Sequence, residues 1–131
     1  MITTDIKAKP AISIRQREIA KDYLKVLDAH IESLKQGKEE RALEIADFAG
    51  MLHMHPIHLS NTVKAVTGQS TCSLYEERLV KISKELLLNT TFSIKQIALQ
   101  LTYDPSNFTK FFKHFVGMTP KQFRIEHLSN S

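Results

Sequence analysis

The stretch SIKQIALQLTYDPSNFTKFFKHFVGMTPKQFR, residues 93–124, decides the fold because it contains three helix starts separated by two breaks. Ser93 and Gln96 have the spacing of a capping box, which predicts a first helix, and apolar residues at helical spacing follow them. Asp104 is a favourable N-cap and Pro105 is tolerated in a first turn, so a second helix is predicted to begin there. The stretch is therefore expected to fold as short helices joined by tight turns.

The second helix is predicted to end at Gly117, and Thr119 with Gln122 predicts the start of a third helix. Two short helices joined by a tight turn are typical of a helix-turn-helix, whose second helix enters the major groove of DNA. The charged residues from position 105 to position 124 are all basic: Lys110, Lys113, Lys121 and Arg124. A helical bundle with one basic face fits the same pattern, so one such hairpin does not decide between the two interpretations.

A second copy of this pattern lies 49 residues earlier in the chain, without a gap. The identical pairs are Ile45/Ile94, Ala49/Ala98, Leu52/Leu101, Pro56/Pro105, Lys64/Lys113 and Gly68/Gly117. Self-similarity at a fixed period indicates a repeated structural unit. The unit here is the helix-turn-helix, so the sequence predicts two of them and favours DNA binding.

The repeated region resembles the DNA-binding domain of AraC/XylS-type bacterial transcription regulators. The residues that carry the resemblance are HLSNTVKAVTG (58–68), LYEERLVKISKELLLNT (74–90), SIKQIALQL (93–101) and SNFTKFFKHFVGMTPKQFR (106–124). The resemblance implies a DNA-binding regulator whose partners are double-stranded DNA and RNA polymerase. The chain departs from the family at Thr102, and at His53 in the first unit, because the family usually has glycine in that turn.

The predicted fold is all-α, with two helix-turn-helix subdomains joined by a linker helix and preceded by a long N-terminal helix. We expect a leader (1–11) and an amphipathic helix within residues 1–44, the first helix-turn-helix in 45–72, the linker helix in 73–90, and the second helix-turn-helix with a closing helix in 91–131. Ser73 and Glu76 form a capping box that predicts the start of the linker helix. Arg78 in that helix is expected to pair with a carboxylate, as the resemblance also implies.

The side chains expected to form the core recur at helical spacing. They are Ile19, Tyr23, Val26, Leu27, Ile31 and Leu34 in the N-terminal helix, Leu59, Val63 and Val66 in the first unit, Phe108, Phe111, Phe112 and Phe115 in the second, and Phe123 and Leu128 in the closing helix. The N-terminal stripe has two interpretations. It packs on the first helix-turn-helix and completes its core, or it docks a sensor domain or a second subunit.

The candidate DNA-contacting residues lie on the helix faces that the apolar residues leave free. They are Ile57, His58, Ser60, Asn61 and Lys64 in the first unit, Ser106, Asn107, Lys110 and Lys113 in the second, and Thr119 at the start of the closing helix. Asn61 can form a paired hydrogen bond to adenine, and Ile57 can contact a thymine methyl. An ordinary solvated helix face is the alternative for each of them.

In the second unit, Lys110 and Asn107 are the candidates for contacts with base edges. Lys113 is expected to meet a phosphate instead. The helix start at Thr119 is a candidate for a further phosphate, because the first N–H groups of a helix lack partners within it.

Composition and motifs bound the function classes. The chain has 131 residues, enough for one domain, and its formal net charge of +4 fits a polyanionic partner without requiring one. Its single cysteine, Cys72, excludes an internal disulfide. His53, His55 and His58 form H-x-H-x-x-H, but no fourth ligand is near them in sequence, so no metal site is predicted.

No catalytic nucleophile motif, phosphate-binding loop or dinucleotide fingerprint occurs in the chain. We therefore predict neither an enzyme nor a cofactor. No apolar run approaches the length of a membrane span, and the N-terminus lacks the apolar centre of a signal peptide. These observations predict a cytoplasmic protein without a membrane partner.

The main hypothesis is a sequence-specific DNA-binding transcription regulator with two recognition helices in adjacent major grooves. Because the two units differ in sequence, its site would be asymmetric. The alternative is a helical protein-interaction module that uses the N-terminal helix. The resemblance implies a separate sensor domain, for which the 44 residues before the first unit are too few. The chain is thus either a stand-alone regulator or a fragment of a longer one.

Overall fold

The computed structural model describes residues 11–129, which form seven α-helices and no strand. In chain order these are α1 (Ile14–Lys35), α2 (Ile45–Met51), α3 (Pro56–Thr67), α4 (Thr71–Asn89), α5 (Ile94–Gln100), α6 (Pro105–Val116) and α7 (Pro120–Ser129). The predicted all-α fold, with a long N-terminal helix and two helix-turn-helix units on either side of a linker helix, is confirmed. The predicted leader, residues 1–11, lies outside the described residues except for Ala11.

Helix α1 begins at a capping box and packs along the first unit. The Ser13 hydroxyl accepts a hydrogen bond from the Gln16 N–H at 3.0 Å, and the Gln16 side chain accepts one from the Ser13 N–H at 2.8 Å. The predicted apolar stripe is buried except for Val26, which is half-buried, and the helix contacts α3 and α4. Burial of one leucine such as Leu27 stabilises the fold by about 1.5–3 kcal/mol. Of the two interpretations of the stripe, the structure shows the first: the stripe packs inside the chain, against the first helix-turn-helix.

The two helix-turn-helix units have the same backbone plan. Helices α2 and α5 have 7 residues each, and α3 and α6 have 12 residues each. The longer helices both end at a glycine in the left-handed conformation, Gly68 with φ 80° and Gly117 with φ 90°. Every helix boundary in the second unit therefore falls 49 residues after its counterpart, and the repeat found in the sequence is a repeat of structure.

The turn inside each unit depends on a residue other than glycine with positive φ. His53 has φ 55° and Thr102 has φ 67°. In each turn, the N–H of the next residue makes one of the two hydrogen bonds of a Schellman motif, which closes the preceding helix. The Tyr103 N–H donates to the Ala98 carbonyl at 2.8 Å, and the Met54 N–H donates to the Ala49 carbonyl at 3.0 Å. The two positions at which the chain departs from glycine therefore still adopt the conformation that glycine favours.

Helix α4 connects the units and contacts both of them. It touches α1 and α3 of the first unit and α5, α6 and α7 of the second. The predicted start at Ser73 is wrong, because the helix begins at Thr71 with Ser70 as its N-cap. The Ser70 hydroxyl accepts a hydrogen bond from the Ser73 N–H at 3.0 Å, so Ser73 lies inside the first turn. The predicted ion pair of Arg78 is confirmed, with Arg78 Nε 2.5 Å from Asp28 Oδ1 on α1.

Arg124 on α7 holds the C-terminal end of α4. Its guanidinium donates to the Leu87 carbonyl at 2.9 Å, the Phe92 carbonyl at 2.6 Å and the Thr90 carbonyl at 3.3 Å. The closing helix also buries Phe123, as predicted, but Leu128 is 49% exposed and the prediction that it closes the bundle is wrong. The contact of α7 with α4 is therefore made by Phe123 and Arg124, which lie nearer to the start of α7 than Leu128.

Buried His30 joins the α1–α2 loop to α4. Its Nε2 accepts a hydrogen bond from the Leu43 N–H at 3.2 Å and lies 3.3 Å from the Tyr75 hydroxyl. Its Nδ1 is 3.2 Å from Glu39 Oε1, outside the geometry of a hydrogen bond. Because Nε2 accepts a backbone hydrogen bond, it carries no proton, and the ring is neutral with its proton on Nδ1. Burial lowers the pKa of His30, and the neighbouring Glu39 carboxylate opposes this effect only in part.

The Thr102→Gly substitution should stabilise the protein by about 1 kcal/mol. Glycine removes the roughly 1–2 kcal/mol cost of the left-handed conformation, less the extra entropy that it loses on folding. It also removes the buried Thr102 hydroxyl oxygen, which has no hydrogen-bond partner within residues 11–129. Urea unfolding followed by circular dichroism measures the change. The matched control, Ala65→Gly on the exposed side of α3, should lose about 0.5–1 kcal/mol, and an equal loss for Thr102→Gly would contradict the argument.

The free energy of unfolding should fall as the pH is lowered from about 6.5, the ordinary pKa of histidine. Below that pH the unfolded chain binds a proton at position 30 that the folded chain, with its lowered pKa, does not bind. Urea titrations between about pH 7 and pH 5 measure this, above the range in which carboxylates titrate. The His30→Gln variant keeps an acceptor for the Leu43 N–H without a titrating group and should show a flatter profile. Identical pH profiles for the two proteins would rule out a role for His30.

Candidate nucleic-acid interface

The second helix of each unit is positioned by an N-cap, a first-turn proline and a buried face. In α3 the His55 Nδ1 accepts a hydrogen bond from the Ile57 N–H at 3.1 Å. In α6 the Asp104 carboxylate accepts hydrogen bonds from the Ser106 N–H at 3.1 Å and the Asn107 N–H at 3.3 Å. The Ser106 hydroxyl also donates to Asp104, and this bond is the main reason that the pKa of the carboxyl is lowered. The Asp104 cap was predicted from the sequence and the His55 cap was not; both fix where the outward face of the helix begins.

On α3 the structure places four of the five predicted contact residues in solvent. Ile57 is 65% exposed, and His58, Asn61 and Lys64 are also exposed. Ser60 is half-buried at the edge of the face. Its hydroxyl is therefore poorly placed for a base edge compared with Asn61, which lies opposite the buried residues of the helix. The Lys64 ammonium donates to the Gly68 carbonyl at 3.3 Å, so in the free protein it covers the C-terminal end of α3.

On α6 all four predicted contact residues are exposed: Ser106, Asn107, Lys110 and Lys113. The Ser106 hydroxyl is engaged by Asp104, as described above, whereas Asn107 and Lys110 lie farther along the outward face. Thr119 is half-buried, its N–H donates to the Gln122 side chain at 2.9 Å, and its hydroxyl accepts from the Gln122 N–H at 3.1 Å. The predicted capping box is thus confirmed, and it occupies the Thr119 groups that were expected to be open to a phosphate.

The two outward faces share a backbone but differ in chemistry. Equivalent positions 49 residues apart hold Ile57 and Ser106, His58 and Asn107, and Asn61 and Lys110, while Lys64 and Lys113 are the same. One further exposed pair completes the faces, Ala65 on α3 and His114 on α6. Ala65 and His114 occupy equivalent positions of the repeat, and neither was among the predicted DNA-contacting residues. Neither α3 nor α6 contains an acidic residue, and the carboxylate nearest to these faces is Asp104, which caps the N-terminus of α6.

The four phenylalanines of α6 divide into two buried rings and two flanking ones. Phe108 and Phe112 are fully buried, and Phe112 packs edge-on against Phe123 with ring centroids 5.4 Å apart. Phe111 is half-buried and stacks on Tyr103 at 5.3 Å. Phe115 is 46% exposed, so the prediction that all four rings form core is wrong. Four rings in two turns cover a wider arc than the one face of α6 that its neighbours bury.

The three histidines of H-x-H-x-x-H and Cys72 were the other candidate sites in the sequence. His53, His55 and His58 are exposed, and His55 is engaged as the cap of α3. Within the described part of the chain, no group of three or more histidine, cysteine, aspartate or glutamate side chains is placed to hold a metal ion. Cys72 is exposed near the start of α4. None of the helices between residues 11 and 129 is long and apolar enough to cross a bilayer.

Comparison with known proteins assigns the chain to a family. The profile of a family described as a helix-turn-helix domain matches residues 48–125, from α2 into α7. The chain belongs to the AraC-type helix-turn-helix family of DNA-binding transcription regulators. Its members are regulators rather than enzymes, and the sequence resemblance stated above is confirmed.

One curated relative is an uncharacterized HTH-type transcriptional regulator, YfiF, from Bacillus subtilis (strain 168). It is 32% identical over 82 residues, which are 63% of this chain but 26% of that protein. The chain therefore spans about a quarter of the length of this relative. Helix α1 precedes the region that the family profile matches.

Two solved structures share the AraC-type fold. The DNA-binding domain of AdpA, a global transcriptional factor whose structure includes a target DNA, has a TM-score of 0.71 and 16% identity, and the match covers 82% of this chain and 94% of that one. An AraC-type transcriptional regulator from Chromobacterium violaceum has a TM-score of 0.69 and 19% identity, with coverage of 87% and 96%. At these identities the likeness concerns the fold alone.

The two aromatic classes of α6 should respond differently to truncation. Phe112→Ala should cost about 3–5 kcal/mol because it opens a cavity between α6 and α7, whereas Phe115→Ala should cost less than about 1 kcal/mol. Urea unfolding of both variants measures the difference. Comparable losses would show that Phe115 is part of the core after all.

Proposed function

We propose that this chain binds an asymmetric DNA site by placing α3 and α6 in adjacent major grooves. The observation that carries the proposal is the pair of exposed, acid-free helix faces, each presented by the second helix of a duplicated unit. Helices of this kind enter the major groove with their N-terminal residues at base edges. Family membership supports DNA as the partner, and the AdpA domain, which has the same fold, was solved with its target DNA.

The spacing of the units supports simultaneous contact with two grooves. Helix α4 has 19 residues and is therefore about 28 Å long. Successive major grooves on one face of DNA are about 34 Å apart, a distance comparable to one linker helix with a unit at each end. Because the two faces carry different residues, each helix would recognise a different base sequence, and the full site would have no two-fold symmetry.

In the first unit, Asn61 is suited to adenine, through its paired donor and acceptor, and exposed Ile57 to a thymine methyl. His58 is a further candidate for a base edge, and Lys64 for a phosphate once it leaves the Gly68 carbonyl. Half-buried Ser60 would reach only the sugar-phosphate backbone at the edge of the groove.

In the second unit, Lys110 and Asn107 would contact base edges and Lys113 a phosphate. Ser106 would contribute less because its hydroxyl is held by Asp104. Thr119 stays a candidate through its place at the N-terminal end of α7, where the partial positive charge of the helix attracts phosphate, although Gln122 engages its polar groups.

RNA polymerase and a sensor domain or second subunit are further proposed partners. We infer that the protein acts in the cytoplasm and contacts RNA polymerase, as a transcription regulator must influence the polymerase directly or through DNA. A sensor domain or second subunit that binds α1 would have to use the polar outer side of the helix, since its apolar stripe lies against α3 and α4.

Selection of binding sites from random duplexes, followed by fluorescence anisotropy, tests the proposal. With about six phosphates neutralised, log K should fall against log salt concentration with a slope near −5. Binding that did not depend on salt, or selected sites with perfect two-fold symmetry, would refute it.

Two lysines of α6 separate base contact from phosphate contact. Lys110→Ala should weaken binding to the selected site by about 1–3 kcal/mol and affect random DNA much less. Lys113→Ala should weaken both classes of DNA equally and reduce the salt slope by about 1. Lys25→Ala, a change on the exposed side of α1, is the matched control and should alter neither. Equal losses on both DNA classes for Lys110→Ala would make that residue a phosphate contact.

A further inference from the structure

The end of α1 makes a second connection between the two units, in addition to α4. The Gln100 side-chain N–H at the end of α5 donates a hydrogen bond to the Lys35 carbonyl at the end of α1, with a distance of 2.5 Å. The side chain of the same Lys35 lies 3.1 Å from Glu85 on α4. The end of α1, which packs on the first unit, therefore reaches the second through the main-chain carbonyl of a residue whose side chain pairs with α4.

The α1–α2 loop, which follows Lys35, passes close to α5. Gly37 has φ 72°, and a Cβ atom added to it would lie 3.5 Å from the Gln100 side chain. Glu39 and Gly37 line one hollow with α5, and Arg41 lines another with Thr102 and residues 103–105. The α1–α2 loop thus approaches α5 at Gly37 and faces the turn before α6 across a hollow.

The repeat shows that this contact is particular to the second unit. The position equivalent to Gln100 in the first unit is Met51, which is 50% exposed. Lys35 and Gly37 also lie outside residues 48–125, the region that the family profile matches. Neither the duplicated fold nor the matched region accounts for the Gln100 contact.

We propose that Gln100, bonded to the Lys35 carbonyl, is a positioning residue that sets the angle and distance between α3 and α6. A unit attached through α4 alone can rotate about that helix by repacking its side chains, whereas a second attachment away from the α4 axis prevents this rotation. One base pair of DNA corresponds to about 3.4 Å of rise and about 35° of rotation, so small rotations between units change which spacing is bound. The part of this inference that concerns DNA rests on the proposed function.

The first experiment needs no DNA. Nitroxide labels on Ala65→Cys and His114→Cys, in a Cys72→Ser background, report the distance between α3 and α6 by double electron–electron resonance. Gln100→Ala should broaden the distance distribution while the helical circular dichroism stays unchanged. The matched control is Gln36→Ala, since Gln36 is exposed at the C-terminal end of α1 and its side chain donates a hydrogen bond to Glu32 of α1 at 3.0 Å. A distribution as narrow for Gln100→Ala as for Gln36→Ala overturns the proposal.

The second experiment varies the spacing of the two half-sites in a selected duplex by one base pair at a time. The unlabelled protein should lose roughly tenfold or more on the first insertion, because one recognition helix is displaced from its bases. Gln100→Ala should bind the original spacing more weakly but change by less than about threefold between neighbouring spacings. Its affinity for a duplex with one half-site should equal that of the unchanged protein.

The outcomes separate the positioning role of Gln100 from the proposed function. Equally steep spacing profiles for Gln100→Ala and the unchanged protein overturn the positioning role. If the unchanged protein shows no preference for any duplex while the resonance distances still broaden, the DNA function fails and its spacing role with it. In that case the physical contact between the units stands.

Discussion

A helix that reads DNA must bury one face in the core and leave the other exposed to solvent. The turn before the helix determines which face is buried. In both units this turn passes through one residue in the left-handed conformation, His53 or Thr102. The hydrogen bond from Tyr103 to Ala98 closes the preceding helix and directs α6 so that Phe108 and Phe112 enter the core. A turn of different direction would rotate these rings outward and bury Asn107 or Lys110, at a large cost in desolvation.

The two short helices, α2 and α5, are stable only because they pack against longer helices. Helices α2 and α5 have 7 residues each, well below the roughly 12–15 residues at which an isolated helix becomes marginally stable in water. Their buried residues, such as Phe48 and Ile97, gain stability only against the longer helices. Helix α1 supplies that surface for α2, and α4 supplies it for α5, which explains why a fold with two small units needs two long helices.

The same division between buried and exposed residues separates the positions that stabilise the fold from those that we propose contact DNA. Buried positions at equivalent places keep their chemical type, as Leu59 and Phe108 or Val63 and Phe112 do, because the core constrains them. Outward positions such as Asn61 and Lys110 differ freely, since no neighbour in the fold constrains them. Two copies of one scaffold can therefore present two different surfaces without a change in the fold.

The sequence by itself determined the features whose contacts are local. The starts of α1, α5 and α6 were predictable because a cap and its partner lie within three residues, and the duplicated units because their apolar spacing repeats. Tertiary structure decided the rest. The capping-box spacing at Ser73 did not mark the start of α4, which Ser70 caps instead. Phe115 had the same apolar spacing as Phe112, and only the packing of neighbouring helices decided which of the two rings is buried. The Gln100–Lys35 bond joins residues 65 positions apart, and no local pattern encodes a contact that exists only once the two units have docked.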